Sequence, residues 1–464
     1  MKCSRTGARY GLLAAVCFAL LCFATVPSFA ATKIQHLVTP GGIEAWFVQD
    51  ATVPLVAMEY AFAGGAAQDP RDKPGVGHMV ASLLDEGAGD LPSKTFRERL
   101  DRHAIELSFT IERDELRGSL RMLKEHSGEA FGLLQLALTS PRFDADDIER
   151  IGSQILSHLR RNSTNPNALA GRNFVKLAFG DHPYGHPSHG TIESIPTIKA
   201  DDLRNYVRRV LAKDRLKIAV VGDIEPAVLA KMLDQTFGGL PAKGDLTPVP
   251  DIMAAKPPQS AFVPLDVPQT VVMFGGPGIK RHDPDFMAAY IDNHILGGGS
   301  LSSRLYREVR EKRGLAYSIS ESLLWMDHSG LFVGTTGTRA DRAGESINAV
   351  KKEIQRFAEN GPTPKDLDDA KSYLKGSQML ELDTSSKLAT GLLQYQTDNL
   401  PIDYIEKRNS LVDAVTLDQA RAVAKRLWGQ GLLTVIVGRS LQAAAQPAAA
   451  QPGAVYPAPQ PAAH

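Results

Sequence analysis

His78 and Ser82 stand four residues apart in a segment whose apolar residues recur with the period of a helix. One helical turn therefore separates their side chains, which share a face. In zinc-binding helices with this spacing, two His at i and i+4 hold the metal, and a Glu just before the second His activates a water molecule. Here Ala81 replaces the Glu and Ser82 replaces the second His. The segment keeps one metal ligand and lacks the other ligand and the base.

The residues of this segment do not suffice for a catalytic zinc site. A catalytic zinc ion needs three protein ligands and one open position for water. A serine hydroxyl is a poor ligand at neutral pH, and losing a general base typically lowers the rate by a factor of about 10² to 10⁴. We therefore predict that the chain holds no metal here and cannot hydrolyse peptides alone. Two alternatives stay open: a weakened zinc site with two histidines, and a working site whose base comes from elsewhere.

The elements that would position these residues occur twice along the chain. A helix predicted at 200–210 and a strand predicted at 216–221 are followed by Gly222. The same pattern recurs as a helix from 416 to 427 and a strand at 432–437, followed by Gly438. The interval from the start of the helix to the glycine is 22 positions in both cases. Proline-containing turns at 141–144 and 362–365 each precede another predicted helix. We interpret the chain as two structural copies of about 200 residues. The alternative is two unrelated α/β units with a similar ending.

Each copy is predicted to mix helices with apolar strands, for example at 53–62 and 269–274. The predicted fold class is α+β: two homologous halves, each a mixed, mostly antiparallel sheet packed with helices. The first half is predicted to span 31–245 and the second half 259–440. A linker at 246–258, rich in Pro, separates them.

The two ends of the chain have distinct compositions. Residues 1–30 begin with basic residues, continue with an apolar run too short to span a bilayer, and end in Ala, which predicts a secretory signal peptide. We expect a periplasmic or secreted protein without a transmembrane segment after cleavage. Residues 441–464 are rich in Ala, Pro and Gln and are predicted to be disordered. The cysteines all lie in the signal segment, so no disulfide is expected in the mature chain: Cys3, Cys17 and Cys22.

Composition argues against a nucleic-acid partner. Lys plus Arg and Asp plus Glu number 52 each, so the chain has no excess of positive charge to attract phosphate groups. Hydrophobic residues make up 43% and charged residues 22%, as is normal for a globular protein with its own core.

Several longer motifs resemble those of the pitrilysin/insulinase-type zinc metallopeptidases (inverted zincins), in particular their processing-peptidase-like branch. In the first half the motifs lie at 64–70, 75–78, 141–143 and 182–186. In the second half a long and specific run covers 303–317. The resemblance implies two halves that close on a peptide like a clamshell.

The resemblance also assigns the remaining positions of the metal site. Active members add a Glu as the third zinc ligand, and the corresponding residue here is His158. A supporting Glu is commonly found seven positions earlier, where this chain has Ile151. The degenerate site thus comprises His78, Ala81, Ser82 and His158.

Arg310 and Tyr317 match an Arg/Tyr pair that, in the resembled family, comes from the half opposite the zinc. Their expected role is to hold the substrate backbone and the developing oxyanion, since a cation and a phenol hydroxyl are donors suited to negative charge. They sit on a predicted amphipathic helix, 301–314, and at the start of a predicted strand, 317–320. The alternative is a solvated helix charge and a half-buried strand residue.

Two further features leave alternatives open. The run Gly297, Gly298 and Gly299 either grips a peptide backbone as a glycine-rich loop, as the resembled non-catalytic subunit implies, or is a helix connector with positive φ angles. The histidines at 182, 186 and 189 either bind a stray metal or belong to an ordered loop between helices.

The first half lacks a complete set of zinc ligands and the catalytic base, whereas the second half has the Arg/Tyr pair. This combination resembles the non-catalytic subunit of two-chain members of the family. We therefore expect a substrate-binding subunit of a zinc metallopeptidase heterodimer. Its partner would be a homologous chain with an intact His-x-x-Glu-His motif, which would carry the zinc, and its substrates would be peptides. The alternatives are a cell-envelope peptide-binding or scaffold protein and an atypical autonomous metallopeptidase.

Overall fold

The computed structural model describes residues 33–439. The predicted signal peptide, the three cysteines and the predicted disordered tail at 441–464 lie outside these residues. Within the described range, no helix is both long and apolar enough to cross a membrane.

The strands of residues 33–439 form two large sheets and one short hairpin. In chain order they are β1 Gln35–Val38, β2 Glu44–Gln49, β3 Leu55–Ala63, β4 Gly87–Ala88, β5 Leu91–Pro92, β6 Glu106–Ile111, β7 Glu115–Leu123, β8 Leu216–Gly222, β9 Gln259–Pro264, β10 Gln269–Pro277, β11 Ser318–Trp325, β12 Gly330–Arg339 and β13 Leu433–Gly438.

The first sheet has the order β1-β2-β8-β3-β7-β6 and the second has the order β11-β12-β10-β13-β9. In each sheet one pair of strands is parallel, β2 with β8 and β9 with β13, and the other pairs are antiparallel. The predicted pair of mixed, mostly antiparallel sheets is therefore confirmed. β6 and β11 occupy corresponding edges, each with a strand neighbour on one side only.

The α-helices cover both sheets. In chain order they are α1 Val76–Leu83, α2 Ser93–Arg102, α3 Ser127–Thr139, α4 Ala145–Asn162, α5 Pro166–Phe179, α6 Ala200–Val210, α7 Pro226–Phe237, α8 Phe286–Asn293, α9 Ala343–Asn360, α10 Pro364–Glu381, α11 Ser385–Thr397, α12 Tyr404–Ala414 and α13 Leu417–Trp428.

The halves exchange one helix each. α5, from the first half of the chain, packs on β10 and β13 of the second sheet, where Phe174 lies in an apolar cluster with Val435. α11, from the second half, packs on β3 and β8 of the first sheet, where Leu392 lies beside Val221. Gln396 secures this contact, since its amide donates to the carbonyl of Ile218 (2.9 Å). The predicted domain limits, 31–245 and 259–440, stay a prediction. Each sheet consists of strands from its own half but is covered in part by a helix from the other half.

α1 is fixed at its N-terminus by a carboxylate. Asp69 accepts hydrogen bonds from the backbone N–H groups of Gly75 and Gly77 (2.7 Å each), which satisfies free donors at the helix start. Gly75 has a φ of 98° and lies against Gly190, where a Cβ would meet backbone at 2.7 Å. The apolar face of α1 is buried, which turns His78 and Ser82 toward the opposite side.

The turn between β6 and β7 meets the turn between β11 and β12, and these turns join the halves. The Tyr184 hydroxyl donates to Asp114 (2.7 Å) and accepts from the backbone N–H of His328 (3.0 Å). A cavity of about 740 Å³ lies between the two turns and the end of α11. Its walls carry both charges, including the ion pair of Arg281 with Asp398.

Candidate functional site

His78 lies half-buried on the face of α1 that carries the degenerate zinc motif. Its ring meets that of His189, with centroids 4.6 Å apart and planes at 70°. Burial, together with the neighbouring His189 and His158, lowers the pKa of His78 to about 4. The imidazole is therefore neutral at pH 7, the form in which histidine binds metals.

The other positions of α1 do not complete a ligand set. The Ser82 hydroxyl donates to the carbonyl of His78 (2.9 Å), so it is bonded within its own helix. Ala81 is buried, and with Ser82 and Ile151 it lines a cleft of about 300 Å³, here called the first-half cleft. Ser82 stands where a zinc ligand would be required, and Ala81 stands where the base would be required. Ile151 stands at the position of the supporting carboxylate.

Glu86 fills the polar side of the first-half cleft. Its side chain is 1% exposed and accepts from Arg97 Nε (3.0 Å), Arg150 Nη2 (2.7 Å) and the Ser93 hydroxyl (2.6 Å). Burial alone would raise the pKa of Glu86, but the hydrogen bonds from Arg150 and Ser93 and the charge of Arg97 hold it below its usual value. Glu86 thus satisfies the two arginines of this cleft, Arg97 and Arg150.

His158 is exposed on α4, with Nε2 2.7 Å from the side-chain amide nitrogen of Asn162. Among residues 33–439, no three or more His, Cys, Asp or Glu side chains are placed to hold a metal ion. The side chains at the degenerate site do not fit a catalytic zinc ion, and no step of hydrolysis is derived through one in this chain. That the protein binds no zinc stays a prediction.

The three loop histidines do not converge. His182 has both ring nitrogens engaged with backbone, Nε2 with the carbonyl of Pro250 (2.9 Å) and Nδ1 with the N–H of Tyr184 (3.1 Å). His189 faces His78 instead. Of the two alternatives, the structure favours the ordered loop, which contains a 3₁₀ turn at Pro183–Gly185.

In the second half, Arg310, Tyr317, Gly297 and Gly298 line one cleft of about 420 Å³, here called the second-half cleft. The structure thus brings together residues that the sequence separates by up to 20 positions. Gly299 lies next to this cleft but is not part of its lining.

Arg310 is exposed, and its guanidinium lies over the ring of Tyr306, with Cζ 4.8 Å from the centroid. This stacking orients the cation without neutralising it. Within the described part of the chain, no Asp or Glu stands at ion-pair distance from Arg310, whereas Arg304 nearby pairs with Asp366 (2.5 Å).

Tyr317 is 82% exposed and directly precedes the edge strand β11. The chain reverses at Gly314, whose φ is 57°, and the backbone N–H of Tyr317 then donates to the carbonyl of Gly337 (3.0 Å). The backbone of Tyr317 is fixed while its phenol ring stays free. The expectation of a half-buried strand residue, offered as the alternative for Tyr317, is wrong.

The predicted helix 301–314 is only partly correct. A 3₁₀ turn spans Ser300–Ser302, and Ser303 after it is extended, which interrupts the predicted helix. The Ser303 hydroxyl accepts from the backbone N–H of Tyr306 and so caps the helical segment that follows. Tyr306–Glu311 is then a π-helix. In strand β11 the prediction began one residue early, at Tyr317.

The glycine run is neither a loop nor a connector with positive φ at its glycines. Gly297 and Gly298 end a π-helix, His294–Gly298, and the positive φ (51°) falls on Ser300. A Cβ at Gly297 would lie 2.4 Å from the Cβ of Glu321 on β11. Close packing of helix on strand therefore explains the glycine, and the alternative of a connector with positive φ angles is wrong. That the run grips a peptide backbone stays a prediction. Gly297 and Gly298 still form one wall of the second-half cleft.

Sequence reasoning missed two features of these clefts. The π-helical segments of residues 33–439, His294–Gly298 and Tyr306–Glu311, both border the second-half cleft. Such segments are rare and often occur at functional sites, but no periodicity in the sequence distinguishes them from α-helix. The ionic cluster around Glu86 was missed because its arginines come from two different helices, α2 and α4.

Two family profiles match successive parts of the chain. "Insulinase (Peptidase family M16)" matches residues 47–192, and "Peptidase M16 inactive domain" matches residues 197–374. The chain belongs to the insulinase family, peptidase family M16. The family recognised from sequence motifs is thereby confirmed.

Relatives of this M16 chain include both peptidase and non-peptidase names. A Helicobacter pylori protein named "Non-peptidase homolog YmxG" is 28% identical, with 80% of this chain and 86% of the relative covered. A Bacillus subtilis protein named "Uncharacterized zinc protease YmxG" is 23% identical, with 88% and 98% covered.

Solved structures share the M16 fold. A crystal structure of a peptidase M16 inactive domain from Pseudomonas fluorescens superposes with a TM-score of 0.82 at 29% identity, covering 88% of this chain and 98% of that one. A Helicobacter pylori protease, at 17% identity, gives a TM-score of 0.78 and covers 88% and 100%. The second likeness concerns the fold alone.

Proposed function

We propose that this M16 chain is the non-catalytic, substrate-binding subunit of a secreted or periplasmic zinc metallopeptidase heterodimer. Its partner would be a homologous chain with an intact His-x-x-Glu-His motif that holds the zinc ion. Arg310 and Tyr317 would be supplied to the partner's site during peptide hydrolysis.

The first half supports a role other than hydrolysis. Ala81 cannot accept a proton, and the Ser82 hydroxyl is bonded to the His78 carbonyl. A relative from Helicobacter pylori is named a non-peptidase homolog. These observations agree with the loss of chemistry in this chain.

The observation that carries the proposal is the open second-half cleft. Arg310 and Tyr317 line it together, both side chains are exposed, and neither donates to another described side chain. Maintaining an unpaired guanidinium and an exposed phenol in one cleft contributes little to the stability of this chain. Both are donors suited to a carbonyl oxygen or to an oxyanion of a bound peptide.

The test begins with co-purification of this chain with a homologous chain from the same organism that carries His-x-x-Glu-His, followed by a peptidase assay. Arg310→Ala and Tyr317→Phe should each lower kcat of the complex, Arg310→Ala by about 10² to 10³, since that is the effect of removing one oxyanion donor. Zinc content of the complex should stay unchanged, because the metal belongs to the partner.

The matched control is Arg339→Ala, which removes an exposed arginine that pairs only with Asp341 in the same turn. This variant should keep full activity. Wild-type turnover in both site variants would contradict the proposal, as would stoichiometric zinc and peptidase activity in this chain purified alone. A chain that binds no homologous partner would favour the peptide-binding or scaffold alternative.

A further inference from the structure

We infer that the edge of β11 binds an extended peptide as an added antiparallel or parallel strand, and that Arg310 selects peptides with a carboxylate side chain. This inference shares the second-half cleft with the proposed function but does not require the partner chain. It assigns peptide binding to the chain alone, without its partner, and names the class of peptide.

The backbone of β11 forms a wall of the second-half cleft. Five consecutive residues, Ser318 to Ser322, line it. Successive side chains of a strand point to opposite faces, so a cleft can touch five in a row only along the strand's edge. β12 is the strand neighbour of β11 on the other side.

The direction of the backbone groups agrees with this geometry. The carbonyl of Ser318 accepts from the Thr336 hydroxyl on β12 (3.0 Å), so the backbone of Ser318 faces β12. In an antiparallel pair, alternate residues direct their N–H and C=O groups to opposite sides. Ile319 and Glu321 therefore direct theirs away from β12, which is the arrangement that accepts an added strand.

Side chains around this edge suit an extended peptide. Ser318, Ser320 and Ser322 are exposed and small, so they leave room beside the strand. Leu301, 64% exposed, supplies an apolar contact in the lining. Tyr373 on α10 is 60% exposed, and its ring stacks on His294, the first residue of the π-helix that borders the cleft (centroids 4.8 Å apart).

The charge of the cleft indicates which peptides it prefers. Arg310 and Glu321 are the charged residue types in its lining. Glu321 is 1% exposed, and burial raises the pKa of its carboxyl to about 8, so this carboxyl is mainly protonated at neutral pH. The cleft thus presents one unopposed positive charge, which favours a Glu or Asp side chain on the bound peptide.

The first-half cleft provides an internal contrast. It also lies along an edge strand, with Ser108 and Phe109 of β6 in its lining. Its arginines, Arg97 and Arg150, are already paired with Glu86. A carboxylate would gain little there, so an acidic peptide should bind at β11 rather than at β6.

The test uses the purified chain without its partner and two fluorescein-labelled heptapeptides of alternating Thr and Val, one with a central Glu and one with a central Gln. We expect the Glu peptide to bind about tenfold more tightly to the wild type, the effect of one charge-assisted hydrogen bond. In Arg310→Gln the two peptides should bind equally. Arg339→Gln, the control, should keep the tenfold difference.

Amide hydrogen exchange locates the peptide. The Ile319 and Glu321 amides of β11 should become protected, and those of β6 should not. Two further peptides carry N-methyl groups on either the odd-numbered or the even-numbered residues. Only one of them should lose binding, because only alternate N–H groups of an added strand bond to β11. Equal affinity of both peptides for the wild type, no detectable binding, or protection at β6 would each overturn the inference. None of these outcomes would affect the kinetic test of Arg310 in the two-chain complex, so the two proposals can fail separately.

Discussion

The two clefts are built from corresponding elements. In the first half α1 lies beside the edge strand β6, and in the second half α8 and its π-helical continuation lie beside the edge strand β11. Each cleft has a glutamate next to it that is almost fully buried, Glu86 in the first half and Glu321 in the second. The first is ionised and paired with two arginines. The second accepts only a long hydrogen bond from Trp428 Nε1 (3.4 Å).

This difference shows that two clefts built from the same arrangement of helix and edge strand can differ in whether their arginines are paired. In the first-half cleft the buried carboxylate of Glu86 is charged and pairs with the nearby arginines, so these arginines are not available to a ligand. In the second-half cleft the buried carboxyl of Glu321 is mainly protonated and pairs with no arginine of residues 33–439, so Arg310 remains available to a ligand. The comparison therefore predicts opposite pH dependence for the two glutamates.

The largest effect is expected for Glu321→Gln. Burial disfavours the ionised form of Glu321 and raises its pKa from the ordinary value of 4.5 to about 8 in the folded state. Its contribution is therefore fully present below about pH 4.5 and is lost as pH rises toward 8. The free energy of unfolding of the wild type should fall, relative to Glu321→Gln, by up to about 4 kcal/mol across that window. Urea unfolding of both proteins at pH 5 and 8 measures this, and parallel pH profiles would contradict it.

Glu86→Gln should show the opposite sign. Its pKa is depressed by the arginines and Ser93, so its contribution is present above the unfolded pKa of about 4.5 and is lost as pH falls through the folded value. At pH 7 the substitution should cost about 2 kcal/mol, less than for a fully buried pair, because both arginines are partly exposed.

The control for Glu86 is Glu106→Gln, which breaks the exposed pair of Glu106 with Arg121 on the same sheet. It should cost less than 1 kcal/mol. Equal losses in the two variants, measured by urea unfolding at pH 7, would show that burial does not distinguish the two ion pairs.

Gly297→Ala tests the close packing beside the second-half cleft. Its added Cβ would lie 2.8 Å from the backbone nitrogen of Glu321 as well as close to its Cβ, so helix or strand must shift, at about 1–3 kcal/mol. Gly376→Ala on α10 meets nothing within 4 Å and should be neutral or stabilising by up to about 1 kcal/mol. Thermal unfolding separates them, and a Gly297→Ala protein as stable as Gly376→Ala would show that close packing does not require the glycine.

Much of the fold was predictable because local patterns and tertiary contacts agree. The predicted helix 200–210 is Ala200–Val210, and the predicted strand 216–221 is Leu216–Gly222. Thr416 begins α13 as predicted, and its hydroxyl accepts from the N–H of Gln419 (3.2 Å). These elements have clear periods and caps, so their neighbours in space did not change them.

The exchanged helices and the second-half cleft were not predictable in the same way. α5 has no sequence feature that directs it to the second sheet; its partners are distant strands with suitable apolar surface. The π-helix at Tyr306–Glu311 packs against β11 and precedes the turn at Gly314, and no sequence period distinguishes it from an α-helix.

The sequence by itself determined which chemistry this protein lacks, since Ala81 and Ser82 cannot act as base and ligand in any fold. It also determined the repeat, because helical and strand periods are local properties of the chain. Only the tertiary structure decided that Arg310 remains unpaired while Arg97 and Arg150 do not. Side-chain charge is set by residue type, but its neutralisation depends on which groups the fold places within hydrogen-bonding distance.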